Sequence, residues 1–263
     1  MKTSPAITLR GDDLEIAAVI MDWYGVIGDR EETSKKYRTV YASLLRSRYG
    51  GSFGRWVKAH DLAFEWYITE WQRLYEKHRN GSAFEKDLEA KTVKMAFKEA
   101  GVHIENGEAF RISTELEYDI ASQLGLVYPD VASSLEKIKE MQIDLYIASN
   151  VSSDNLRGLL ESSGLKDTFL KRLTPDEMGA RKSDEVFWKE AFKELGLPPD
   201  GCLVVDDARP HLKEAKKSGA VTVCLQRKAP HKPCAAGDFC PDFTISSLDE
   251  LPRIVRKGLG SKD

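Results

Sequence analysis

Four short apolar runs, each ending at or near a polar residue, constrain this chain more than any other feature. Residues 15–21, EIAAVIM, stop at Asp22. Ile143–Ala148, IDLYIA, stop at Ser149 and Asn150. Cys202–Val205, CLVV, stop at Asp206 and Asp207, and Ala220–Leu225, AVTVCL, form the fourth run. Continuous rather than alternating apolarity is the pattern of a strand covered on both faces, and such strands belong to parallel sheets flanked by helices. Helical patterns separate the runs: Val131–Met141, Asp154–Ser163, Glu185–Leu195 and Pro210–Ser218. This alternation predicts right-handed βαβ units and an α/β fold with a Rossmann-like, mostly parallel sheet.

Residues 30–126 break the rhythm. They carry no comparable β run, and their aromatic and charged residues recur at helical spacing, as in Phe64, Trp66, Tyr67, Trp71, Leu74 and Tyr75. Gly50-Gly51 and Asn80-Gly81 punctuate them as turns. The expected organisation is a sheet core from 1–29 and 127–263, with an all-helical insertion at 30–126. Lys257–Asp263 read as a frayed tail.

A composition of 41% hydrophobic and 31% charged residues suits a packed core and not a disordered chain. A net charge of −3 supplies no field to draw in nucleic acid or an anionic membrane. No run approaches the roughly 20 apolar residues that span a bilayer, and the first residues lack the apolar stretch of a secretory signal. The expected compartment is the cytoplasm. Of the four cysteines, Cys202 and Cys224 lie in apolar runs and read as buried thiols. Cys234 and Cys240, with His231 nearby, have a spacing that does not fit the usual zinc ligand pair.

In an open α/β sheet, ligands bind at the carboxyl edge of the strands. Asp22, Ser149 and the Asp206–Asp207 pair all stand there. One such residue is accounted for as a helix N-cap; three strand ends delivering acids or a hydroxyl to one rim, with Lys182 between the second and third, point to chemistry.

Asp22-Trp23-Tyr24-Gly25-Val26-Ile27 resembles the first motif of the haloacid dehalogenase superfamily, D-x-D-G-[TV]-[LVI]. Leu145–Asn150 resembles the second, an apolar strand ending in Ser or Thr. Gly179-Ala180-Arg181-Lys182-Ser183-Asp184 resembles the third, and Val204-Val205-Asp206-Asp207 the acidic fourth. With Tyr128-Pro129-Asp130 before the second motif, the resemblance covers residues 15 to about 250. It implies a sheet core with a mobile helical cap, a small and phosphorylated substrate, and Mg²⁺. Asp22 would be the nucleophile, with Asp22, Asp207 and the Tyr24 carbonyl as metal ligands. Asp206 would be an outer ligand or a supporting acid. Lys182 would neutralise the charge on nucleophile and phosphate, while Ser149, Asn150 and amides of the Gly25 turn would bind phosphate oxygens. Arg181 reads as a surface residue.

Tyr24 departs from the pattern. Phosphatases of the superfamily carry there the Asp that protonates the leaving alcohol and then activates water. A tyrosine, with a reference pKa near 10, can donate a proton but is a poor base near neutrality. The 2-haloacid dehalogenases carry D-x-Y-G-T, which this motif matches, but their fourth motif resembles Ser-Ser-Asn. Retention of Asp206-Asp207 beside a carboxylate nucleophile would create repulsion that a cation resolves, so the metal-dependent reading is preferred. Carbon–halogen hydrolysis and a non-catalytic binding protein are the alternatives. His211, where relatives carry Asp or Asn, reads as a helix-start residue without a role, with a titrating neighbour of the metal site as the alternative. Ala208 and Ser183 are smaller departures.

Overall fold

The computed structural model describes residues 16–77, 83–105, 107–228 and 238–258. Its six strands are β1 (Ala18–Met21), β2 (Asp144–Ala148), β3 (Lys171–Leu173), β4 (Cys202–Asp206), β5 (Val221–Leu225) and β6 (Phe243–Ile245). They form one sheet in the order β3-β2-β1-β4-β5-β6, every neighbouring pair parallel. The chain winds outward in one direction from β1 and in the other from β4. β1 and β4 therefore flank the point where the strand order reverses, the usual location of a ligand crevice.

The four apolar runs are the four central strands. β3 and β6, at the two edges, went unforeseen: each is three residues long and half-exposed, so neither carries the continuous apolarity that burial on both faces imposes. Alternation divides the sheet cleanly. Val19, Met21, Leu145, Ile147, Leu203 and Val205 face one core layer, and Ala18, Ile20, Tyr146, Cys202 and Val204 the other. The first layer is filled from α5 (Val131–Glu140), α6 (Ser153–Ser162) and α10 (Leu251–Gly258). The second is filled from α8 (Glu185–Leu195) and α9 (Arg209–Lys217).

Between β1 and α5 the structure is helical: α1 (Arg30–Tyr49), α2 (Phe53–Lys77), α3 (Ala83–Ala100) and α4 (Glu108–Ala121). Asp29 caps α1 by accepting from the amides of Glu31 and Glu32. Gly50 and Gly51 end it at φ of +73° and +78°, a left-handed turn that glycine adopts without strain. The expected turn at Asn80-Gly81 lies outside the described residues. So do Cys234 and His231, and the tail beyond Gly258; Lys257 and Gly258 themselves close α10. Cys202 and Cys224 are buried free thiols. No helix among the described residues is long and apolar enough to cross a membrane.

The helical region has its own aromatic centre. Trp56 is fully buried, meets Phe97 edge-on at 5.0 Å, and donates its indole N–H to the Gly50 carbonyl at 2.8 Å. Trp56→Ala removes both the packing and the tie to the turn, and is expected to cost about 3–5 kcal/mol in urea unfolding. The core strands carry none of this contact, so the loss should appear first in hydrogen exchange of α1–α3.

Candidate active site

Asp22 follows β1, and Asp206 and Asp207 end and follow β4. Because β1 and β4 are paired in register, with Met21 opposite Val205, the three carboxyls converge: each offers an oxygen within 4.8 Å of the others. Lys182 reaches into this cluster from the segment after α7 (Pro175–Met178). Its ammonium lies 2.6 Å from Asp22 Oδ1 and 2.7 Å from Asp206 Oδ2, and its side chain is 1% exposed. Ser149, at the end of β2, is buried, and its hydroxyl makes no hydrogen bond within the described residues.

The electrostatics are unequal across the cluster. Burial, reinforced by the neighbouring Asp206 charge, pushes Asp22 up to about 6 despite Lys182. Burial also acts to raise Asp206, but Lys182 and His211 outweigh it and hold that carboxyl at about 2. Lys182 is itself raised: its burial favours the neutral amine, and the two carboxylates overcome that. Asp206 is fully engaged, accepting from Lys182, from the Ala208 amide at 2.8 Å and from His211 Nδ1 at 3.2 Å. Asp22 uses only Oδ1, for Lys182 and for the Trp23 amide at 2.7 Å; Oδ2 carries no hydrogen bond. Asp207 Oδ1 is buried without any partner.

Several expectations need correction. Asp206 and Asp207 are not uncompensated. Lys182 serves the first, and Arg30, at the start of α1, lies 3.4 Å from Asp207 Oδ2. Arg30 also donates to the Tyr24 carbonyl at 3.1 Å. Among the ion pairs of the described residues, these three carboxylates thus meet two permanent cations. His211 is not idle: it bridges Asp206 to the Asn150 side chain, whose Nδ2 is 3.1 Å from Nε2. Asn150 Oδ1 in turn accepts from the Lys182 amide at 3.0 Å, and the Lys182 carbonyl accepts from the buried Trp188 indole at 2.9 Å. The Asn150 side chain therefore braces the lysine segment. In the Gly25 turn the Trp23 and Gly25 amides are already used, the latter donating to the Gly28 carbonyl. Gly25 matters for another reason: its φ is +88°, and a Cβ there would stand 2.3 Å from Asp207 Oδ2.

Arg181 is not a surface residue either. Its side chain is 18% exposed, pairs with Glu85 of α3 and lies over the Trp71 ring of α2. On the other side of Lys182, the Ser183 hydroxyl meets the Tyr75 hydroxyl at 3.0 Å. Both neighbours of the lysine are thus tied to the helical insertion. Between that insertion and the carboxyl edge lies a cavity of about 320 Å³, bordered by Asn150, Arg181 and the aromatic residues Tyr37, Tyr41, Phe64 and Tyr67. Tyr24, half-buried, is pushed up to about 12 chiefly by burial.

A sequence profile described as haloacid dehalogenase-like hydrolase matches residues 16–219. The chain belongs to that hydrolase family. The protein CbbY of Rhodobacter capsulatus is 22% identical over 92% of this chain and 100% of its own length. A phosphoglycolate phosphatase of Vibrio vulnificus is 25% identical over 51% of this chain. (S)-2-haloacid dehalogenase 2 of Pseudomonas sp. is 27% identical over 49%. These two matches span 58% and 55% of the relatives, little more than half their length. Among solved structures, the 2-haloacid dehalogenase of Pseudomonas syringae superposes with a TM-score of 0.65 at 18% identity, covering 92% of this chain and 99% of that one. The magnesium-bound hydrolase YfnB of Bacillus subtilis does so at 0.64 and 16%, with the same coverage. These structures share the fold of this haloacid dehalogenase-like hydrolase.

Lys182→Met leaves Asp22 and Asp206 buried together without their counter-charge and should cost about 3–5 kcal/mol in urea unfolding at pH 7.5. The pH sign follows from Asp22, whose folded value already lies above its ordinary 3.8 and rises further once Lys182 is gone. The folded state then binds a proton more readily than the unfolded chain, so stability rises as pH falls. The deficit relative to the native protein should shrink between pH 7.5 and pH 5; a deficit constant over that range would show that the lysine acts by packing alone.

Proposed function

We propose that this hydrolase is a magnesium-dependent phosphatase or phosphotransferase acting on a small organic phosphate, with Asp22 as nucleophile and α1–α4 as a cap over the site. The observation that carries this reading is Asp207 Oδ1, a buried carboxylate oxygen without a partner, beside Asp22 in a cluster that keeps one more carboxylate than permanent cations. Hard oxygen donors with a surplus negative charge suit Mg²⁺. Asp22, Asp207 and the Tyr24 carbonyl would hold the ion, and Asp206, saturated by its own hydrogen bonds, would support Lys182. Bound there, the ion would offset phosphate charge as the phosphoryl group is transferred.

The chain's own residues define the remaining steps. Asp22 Oδ2, the oxygen left free by Lys182 and Trp23, attacks phosphorus. A bond forms between that oxygen and phosphorus, and the bond to the leaving oxygen breaks with its electron pair. Lys182 and the Ser149 hydroxyl balance charge on the transferring group. Tyr24, neutral across the working range, donates a proton to the leaving oxygen. Water then cleaves the aspartyl phosphate with little help from Tyr24 as a base.

Asp22→Asn should abolish turnover of every phosphate ester tested, and retained activity would sink the nucleophile assignment. In calorimetry, Mg²⁺ should bind the native protein and not Asp207→Asn. Arg30→Ala should bind it more tightly, because Arg30 competes for both the Asp207 carboxylate and the Tyr24 carbonyl. Tyr24→Phe should slow hydrolysis of an alkyl phosphate by about 10²-fold or more and leave p-nitrophenyl phosphate, with its good leaving group, nearly unaffected.

A second reading has a specific observation behind it. Arg30 already supplies a cation at the Asp207 corner, and the first motif has the Tyr of 2-haloacid dehalogenases. Halide release from a 2-halo acid that persists in chelator would establish carbon–halogen hydrolysis through an aspartyl ester instead.

A further inference from the structure

The cavity beside the carboxyl edge has an unusual lining. Tyr37, Tyr41, Phe64 and Tyr67 supply aromatic rings, with Tyr37 and Tyr41 stacked at 6.4 Å and Phe64 and Tyr67 at 6.5 Å. Glu89 of α3 and Glu117 of α4 border the same space, within hydrogen-bonding reach of each other. Glu117 accepts from the Ser152 hydroxyl at 2.7 Å, and two other polar groups there lack hydrogen-bond partners among the described residues. Tyr41 is 8% exposed and its hydroxyl makes no hydrogen bond within the described residues. Asn155 Oδ1 is buried and accepts none. The cationic side chains of the lining form no ion pair with these acceptors among the described residues: Arg181 is held by Glu85, and Lys86 is exposed and acts on Glu89 only through its charge.

We propose that this cavity receives a protonated organic amine, so that the substrate is a small phosphate ester carrying an ammonium group at the end away from the phosphorus. An ammonium group donates N–H bonds to the Glu89 and Glu117 carboxyls and Asn155 Oδ1, and its charge is favoured against the faces of tyrosine and phenylalanine rings. Burial, with Glu117 alongside, pushes Glu89 up to about 9. Burial raises Glu117 as well, and a cation seated beside both carboxyls favours their ionised forms. Asn150 and Arg181 border the cavity and are chain neighbours of Ser149 and Lys182, so an amine seated there directs the rest of a short molecule toward Asp22. The placement of the phosphate end rests on the phosphatase reading; the ammonium site stands on the cavity alone.

The test uses three probes of equal size, n-butylammonium, n-butanol and n-butyrate, titrated without metal or phosphate and followed by saturation-transfer NMR. Butylammonium should bind the native protein at least about tenfold more tightly than either other probe. The double substitution Glu89→Gln with Glu117→Gln, which keeps side-chain size, should remove that preference while its melting curve stays cooperative. Butanol or butyrate binding as well as butylammonium would overturn the proposal, whatever the variant does. So would a well-folded double variant that keeps the preference. If the preference holds while Asp22→Asn retains turnover, the phosphoryl-transfer reading fails and the ammonium site stands.

Discussion

One buried ammonium organises the carboxyl edge of the sheet. Lys182 sits between the carboxylates at the ends of β1 and β4, and all three groups are nearly excluded from solvent. Removing three charges from water is costly, and the attraction among them offsets that only if the geometry holds and the remaining hydrogen-bonding capacity is satisfied. The surroundings provide this. Trp188 and Asn150 fix the Lys182 backbone, and His211 and the Ala208 amide complete Asp206. The outcome is an asymmetry: Asp206 is saturated and strongly acidic, whereas Asp22 keeps one oxygen free of hydrogen bonds and a raised affinity for protons.

What the sequence reveals of this arrangement follows from burial and chain locality. The central strands are legible because burial on both faces leaves a continuous apolar run, and Asp22, Ser149, Asp206 and Asp207 are legible because they terminate those runs. β3 and β6 are not, since a three-residue, half-exposed edge strand has no distinctive pattern. Lys182 is legible only through its motif context. Arg181 and His211 escape because their partners, Glu85, Trp71, Asp206 and Asn150, are brought to them by the tertiary fold, and a basic residue or a histidine in a loop or at a helix start has the same local signature whether solvated or paired.

Arg30 left a fainter trace. It is the first residue of α1, directly after the Asp29 cap, where the helix dipole disfavours a positive charge. Such a residue calls for compensation from elsewhere, and the Tyr24 carbonyl with Asp207 provides it. A cation at a helix N-terminus eight residues beyond a candidate nucleophile is a signal that the sequence contained. It bears directly on chemistry: a side chain 59% exposed can occupy the anionic corner and also leave it, which a buried lysine cannot.

The helical insertion and the lysine are mechanically joined. Arg181 and Ser183 flank Lys182, and each reaches across to the insertion, one to Glu85 and Trp71, the other to Tyr75. Trp71 and Tyr75 stack at 4.8 Å, and the Trp71 indole donates to Glu85, so the two ties form one network. Any displacement of α2 and α3 large enough to admit a molecule to the cavity has to break these ties or carry the lysine segment with it. Asn150 holds that segment from the core side, and Asn150 also borders the cavity. The segment that carries the ammonium is therefore joined through packed, hydrogen-bonded side chains to residues that border the cavity. Packing of the insertion and placement of the buried charge at the carboxyl edge thus belong to one network.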